Sequence, residues 1–118
     1  MFGSSVPEID VQELARKLAS SESFVLLDVR ELWELDQAKI TDSRLEVAPM
    51  SRLSSEGTDA LPESAQAKDA LLCVMCHHGV RSADVTAWLV AQGWTNVFSV
   101  RGGIDEYARR IDRSVGMY

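Results

Sequence analysis

Apolar residues in this chain gather in short continuous runs separated by stretches of helical period. Phe24-Val25-Leu26-Leu27 and Ala70-Leu71-Leu72-Cys73-Val74-Met75 are unbroken and too short for helices, as expected of strands buried on both faces. Before the first run, Val11, Leu14, Ala15 and Leu18 recur at helical spacing behind Asp10 and Glu13, a capping box of the aspartate kind; this predicts a helix over 11–19, broken by Ser20, Ser21 and Ser23. A short helix is expected within Glu31 to Ala38, a short strand at Leu45-Glu46-Val47, and a turn-rich stretch from Met50 to Gly57. After Pro62 the pattern predicts a short helix, then the strand at 70–75. A helix over about 81–92 closed by Gly93 follows, then a strand from Asn96 to Val100 and an amphipathic face of Ile104, Tyr107 and Ala108.

Strand and helix alternate throughout, which implies an α/β domain with a mostly parallel central sheet and helices on both faces. Ligands of such sheets sit outside the carboxyl ends of the strands, so Asp28, Cys76 and Arg101 are expected to converge on one crevice. With 118 residues the chain has room for a single domain, residues 1–118 with its core at about 8–110, and 46% apolar content suits one core. A net charge of −6 argues against nucleic acid or an anionic membrane as partner, since either would call for a clustered basic surface that the sequence does not show. No window approaches the ~18 uninterrupted apolar residues of a spanning helix. Met1 to Pro7 lacks the basic start and long apolar stretch of an export signal, so a cytoplasmic location is expected. Two cysteines are too few for a disulfide framework and fit a reducing compartment.

The chemistry centres on Cys76-His77-His78-Gly79-Val80-Arg81-Ser82, between the run at 70–75 and the next helix. A cysteine at a strand end, facing a loop that feeds a helix N-terminus, meets unpaired amides and the positive end of the helix dipole, conditions that favour a thiolate nucleophile. Gly79 gives the loop backbone freedom and Arg81 adds a permanent positive charge. Cys73 lies inside the apolar run and reads as core packing. The pair also reads as Cys-x-x-Cys, and with His77 as the spacing for c-type haem. On one strand the two side chains point to opposite faces and their Cα atoms stand roughly 10 Å apart, beyond the ~7 Å a disulfide allows. No metal and no cofactor are expected.

The Cys76 loop resembles the active-site loop of the rhodanese family of sulfurtransferases. Two further segments carry the likeness: Val25-Leu26-Leu27-Asp28-Val29-Arg30-Glu31 resembles the family's strand-ending Asp-Val-Arg motif, and Val97-Phe98-Ser99-Val100-Arg101-Gly102-Gly103-Ile104 its last strand and paired glycines. The resemblance implies that Cys76 takes sulfane sulfur from a small anionic donor such as thiosulfate, becomes a persulfide, and passes the sulfur to cyanide or a thiol. The alternative is a persulfide-carrying module that serves an acceptor protein with little small-molecule turnover. Four residues separate Cys76 from Arg81, where the related phosphatases and arsenate reductases carry five, so the shorter ring suits sulfur over phosphate.

His77, His78, Gly79, Val80, Arg81 and Ser82 are the substrate-binding candidates, their amides expected to hold negative charge as in an oxyanion hole. The histidines are expected to contact donor or acceptor, or simply to be exposed. Asp28 is expected to support the loop, while Arg30 and Arg101 either line the crevice or form ion pairs with Asp28, Glu31 or Asp105. Trp33 is expected as an aromatic plug beneath the crevice. Lys39 to Met50 departs from the family's Gly-His-Ile-Pro-Gly-Ala segment, lacking its histidine and glycines, which bears on donor preference.

Overall fold

A computed structural model describes residues 6–118. Met1 to Ser5, most of the segment read above for an export signal, lie outside the described residues. The elements are β1 (Glu8–Ile9), α1 (Val11–Leu18), β2 (Val25–Asp28), α2 (Leu32–Leu35), β3 (Leu45–Val47), α3 (Met50–Glu56), β4 (Leu72–Met75), α4 (Val80–Ala91), β5 (Val97–Val100) and α5 (Gly103–Arg110), with 3₁₀ turns at Gly57–Ala60, Glu63–Ala65 and Arg113–Val115. The five strands form one sheet in the order β1-β5-β4-β2-β3, every pair parallel. Among the described residues no helix is long and apolar enough to cross a membrane.

Alternation along the strands divides the core. Val25, Leu27, Leu72 and Val74 face one layer, where Leu53 of α3 and Val85 and Leu89 of α4 cover them. Leu26, Cys73, Met75 and Val100 face the other, covered by Val11 and Leu14 of α1 and Ile104 and Tyr107 of α5. Covering both faces of a parallel sheet is what allows its strands to read as unbroken apolar runs. The expected fold class therefore holds. At the start of α1, Asp10 caps through Oδ1, which accepts from the Glu13 amide at 2.8 Å.

Met50 to Gly57 is a correction: the stretch read as turn-rich contains the helix α3. Met50 and Leu53, three apart, turn to the core beside Trp88, and Arg52 pairs with Glu56 one turn on, Nη2 to Oε1 at 3.0 Å. Its serines face outward, so their turn-forming tendency was outweighed by this apolar pair. The helix after Pro62 is a single 3₁₀ turn, and β1 was missed because two residues carry no period.

β2 ends in a buried ion pair. Arg30 donates from Nε and Nη2 to Asp28 at 2.9 and 2.7 Å, and both side chains are fully sequestered from solvent. Asp28 Oδ1 also accepts from the Arg30 amide at 3.1 Å, which bends the chain sharply out of the strand. Two charges removed from water survive there because each is paired with the other, with Arg30 Nη1 also donating to the Glu34 carbonyl at 3.3 Å and the Tyr118 hydroxyl at 3.2 Å. Asp28→Ala, which strands the Arg30 guanidinium, is expected to lower stability in urea unfolding by about 3–5 kcal/mol, whereas Asp28→Leu combined with Arg30→Met should cost far less. Equal losses in the two variants would refute this account.

Candidate active site

Cys76 follows β4 directly, and its Sγ accepts two backbone amides, from Gly79 at 3.1 Å and from Ser82 at 3.3 Å. The loop closes on itself because Gly79 adopts φ +100°, a conformation that side-chain-bearing residues resist, and its Cα faces the Gly102 amide so closely that an added Cβ would stand 3.0 Å away. Ala83 is the first residue of α4 whose amide enters the backbone ladder, bonding to the Gly79 carbonyl at 3.2 Å. The Ser82 amide, one residue earlier, is thereby left for the sulfur. Two N–H dipoles and a helix N-terminus thus converge on one thiol.

The loop's carbonyls turn away from Sγ and are held by α5. The Ile104 amide donates to the Cys76 carbonyl at 2.9 Å and the Asp105 amide to the His77 carbonyl at 3.0 Å. Gly103 makes this approach possible, since a Cβ there would collide with both carbonyls. From beneath, the Ser82 hydroxyl donates to the Gly79 carbonyl at 3.1 Å and sits 2.8 Å from the buried Ser99 hydroxyl of β5. Val80 projects to solvent.

The far end of the loop is anchored by a residue that the sequence did not single out. Arg81 makes a two-pronged bond with Glu34 of α2, Nη1 to Oε2 at 2.7 Å and Nη2 to Oε1 at 2.9 Å. Those bonds, together with the Glu31 amide and the Tyr118 hydroxyl, outweigh burial and hold the Glu34 carboxyl at about 2. The same pair raises Arg81 above its already high value. Tyr118 donates its hydroxyl to Glu34 Oε1 at 2.8 Å, accepts from Arg30 Nη1 at 3.2 Å, and stacks on His77 with ring centroids 3.7 Å apart. Asp28, Arg30, Tyr118, Glu34 and Arg81 form one continuous chain of polar contacts.

His77 is half-buried, its Nε2 without a hydrogen-bond partner among the described residues, and burial first and the neighbouring His78 second push its proton affinity down. His78 is exposed, with Nδ1 3.8 Å from Asp105. His77, His78 and Asp105 each offer a ligand-type atom within 4.8 Å of the others, but Arg109 already engages Asp105 at 2.9 Å. Arg30 lies buried with Asp28. Arg101 is brought to neither the thiol nor the expected acidic partners: its guanidinium reaches toward Glu8 at 3.7 Å and Asp10 at 4.0 Å, beside β1. Trp33 is a correction, because its side chain is 63% exposed and meets Tyr118 edge-on instead of plugging the floor. The one-turn length of α2 explains this, since Glu34, not Trp33, points inward. Cys73, on the opposite face of β4, is raised to about 12 by burial, and both cysteines are free.

Residues 10–110 match the Rhodanese-like domain. A sulfurtransferase from Allochromatium vinosum is 35% identical over 104 residues, covering 88% of this chain and 90% of that protein. The chloroplastic Rhodanese-like/PpiC domain-containing protein 12 of Arabidopsis thaliana is 31% identical over 116 residues; the match takes in 96% of this chain but spans only 38% of that longer protein. Among solved structures, a rhodanese-related protein from Thermoplasma volcanium superposes with a TM-score of 0.71 at 28% identity, over 89% of this chain and 93% of its own. A cysteine held by amides at the end of the fourth strand of a parallel sheet, and a match across nearly the whole length, place the chain in the rhodanese-like domain family.

Proposed function

We propose that the protein is a sulfurtransferase in which Cys76 carries sulfane sulfur from an anionic donor to a nucleophilic acceptor. The observation that carries this reading is the pair of amides from Gly79 and Ser82 on Sγ at the N-terminus of α4. In the first half-reaction the Cys76 thiolate attacks the outer sulfur of thiosulfate. The new S–S bond forms as the old one breaks, its electron pair leaving with sulfite. In the second, cyanide or a thiolate attacks the terminal sulfur and Cys76 regains its thiolate. Negative charge stays within the loop at both stages, where fixed N–H dipoles hold it without reorganising. This chemistry requires no proton transfer from Arg81 or His77.

A second reading, a persulfide carrier serving an acceptor protein, draws on the exposed apolar side chains near the site. Leu32 and Trp33 project from α2 beside Glu34, and Val80 from the loop itself. Turnover separates the two: an enzyme passes sulfur rapidly to cyanide, whereas a carrier loaded by thiosulfate holds it.

Thiosulfate:cyanide turnover should fall at least ~10³-fold in Cys76→Ser, with loss of the single added sulfur seen by intact mass, because no other thiol can replace the nucleophile. Cys73→Ser should retain turnover within about threefold, since its thiol faces the core. Comparable losses in both would point to a dithiol mechanism instead.

The Arg81–Glu34 brace predicts an acid limit. Glu34 falls from the ordinary 4.5 to about 2 on folding, so the stability it confers is complete above pH 4.5 and disappears as pH falls toward 2. Glu34→Gln should therefore show a flatter dependence of unfolding free energy on pH across that window than the wild type. Parallel curves would refute the brace.

A further inference from the structure

The Cys76 loop contains one permanent cation, and that cation is matched. Arg81 donates from both Nη groups to Glu34 at 2.7 and 2.9 Å, and the Glu34 side chain is only 4% exposed, so a buried carboxylate compensates the guanidinium at close range. Glu34 stands first among the groups that raise Arg81, ahead of the Cys76 thiolate: the guanidinium feels the sulfur but answers chiefly to the carboxylate. The other basic groups around the loop follow the same rule. Arg30 is sealed against Asp28, Arg109 holds Asp105 at 2.9 Å, and the exposed His78 turns Nδ1 toward that same carboxylate at 3.8 Å. Burial keeps His77 uncharged at neutral pH. Asp84, exposed one turn along α4 from Val80, adds a further negative charge, and the whole chain carries −6.

A matched pair acts on an approaching ion through the difference of two opposed attractions, which falls off faster than the pull of a lone cation. The amides on Sγ steady the charge of the thiolate, and a donor brings its own charge in addition. Thiosulfate is a dianion, so it meets the thiolate where the loop offers no unpaired cation to offset their repulsion. We propose that Glu34 is a specificity-determining residue: by neutralising Arg81 it makes Cys76 select sulfane donors of one negative charge or none, thiosulfonates and organic persulfides, over dianionic thiosulfate. The inference rests on the sulfur-transfer reading and deepens it by naming the donor class. With a thiosulfonate, R–SO2–S⁻, the Cys76 thiolate attacks the outer sulfur, the S–S bond breaks, and its electron pair leaves with the sulfinate, R–SO2⁻. With a persulfide, R–S–SH, the pair leaves with the thiolate RS⁻ and the proton stays on the transferred sulfur. Thiosulfate follows the same course against a repulsion that raises its KM.

The test compares kcat/KM for thiosulfate and methanethiosulfonate, with cyanide as acceptor, in wild type, Glu34→Gln and Glu34→Asp. The two donors share the S–S bond that breaks and differ by one charge. Glu34→Gln leaves Arg81 uncompensated and should raise the thiosulfate-to-methanethiosulfonate ratio about tenfold, mainly through the KM for thiosulfate. Glu34→Asp keeps the charge and should stay within about twofold of the wild-type ratio. A carboxylate that only positioned Arg81 would, on replacement, weaken both donors alike, so an unchanged ratio in Glu34→Gln overturns the proposal. Should the glutamine variant not fold, ionic strength decides on the wild type alone. Raising KCl from about 20 to about 200 mM should increase kcat/KM for thiosulfate, and more steeply than for methanethiosulfonate, because screening relieves repulsion between like charges. A flat or falling response to salt would reveal an unmatched cation at the site and overturn the charge selection. Intact mass keeps the underlying reading separate: if neither donor adds a sulfur to Cys76 the sulfurtransferase reading fails, whereas loading by both with an unchanged ratio fails the charge selection alone.

Discussion

The site depends on backbone polarity being sorted around one sulfur. In the Cys76 loop the amides of Gly79 and Ser82 point inward to Sγ, while the carbonyls of Cys76 and His77 point outward to the amides of Ile104 and Asp105. Neither half is stable alone. Carbonyls aimed at a sulfur anion would repel it, and carbonyls buried without donors would carry the desolvation cost of unpaired acceptors. The first turn of α5 supplies those donors, and the close packing it needs is available only because Gly103 has no Cβ. The Cys76 loop after β4 is thus completed by a helix start after β5, its neighbour in the sheet.

Around this centre runs a second layer in which charge is matched and not merely present. Asp28 with Arg30, and Glu34 with Arg81, are two carboxylate–guanidinium pairs, and the Tyr118 hydroxyl accepts from one pair and donates to the other. A guanidinium presents its donors as a planar fork, so a carboxylate that receives two of them fixes direction as well as distance. Arg81 lies in the first turn of α4, and fixing it on α2 ties the mouth of the loop to the element that follows β2. The strand ends that bear the motifs are in this way clamped together across the sheet, which keeps the amides around Sγ oriented.

Local patterns made most of this legible in the sequence. The runs at Val25 and Leu72 and the helical period at Val11 each encode burial within a few residues, and β2, β4 and α1 follow them closely. The loop could be recognised for the same reason, because cysteine, glycine and arginine lie within six positions. What escaped was assembled across distance. Glu34 is paired with a residue 47 positions away and Tyr118 with one 84 positions away, separations at which a single chain carries no periodic trace. A signal for Glu34 did exist: Arg81 in a half-buried loop needed a partner, and a carboxylate flanked by apolar residues just after β2 was available to meet it. Arg101 misled in the opposite direction. Its place at a strand end suggested the crevice, but β1, too short to be read, brought Glu8 and Asp10 within its reach.

Cys73 and Cys76 show how narrowly chemistry is separated from packing in such a sheet. Three positions apart on the same run, they differ in parity, so one faces α1 and α5 and the other α3 and α4. They also differ in backbone. Cys73 sits inside β4, where its neighbours' amides are consumed by β2 and β5, so its thiol finds only hydrocarbon and burial raises it to about 12. Cys76 stands one residue past the strand, where the ladder has ended and α4 has not yet claimed its first amides. The same side chain is inert where every N–H is already paired and useful where the change from strand to helix leaves N–H groups free. What separates the two thiols is therefore position, since only one of them stands where secondary structure is interrupted.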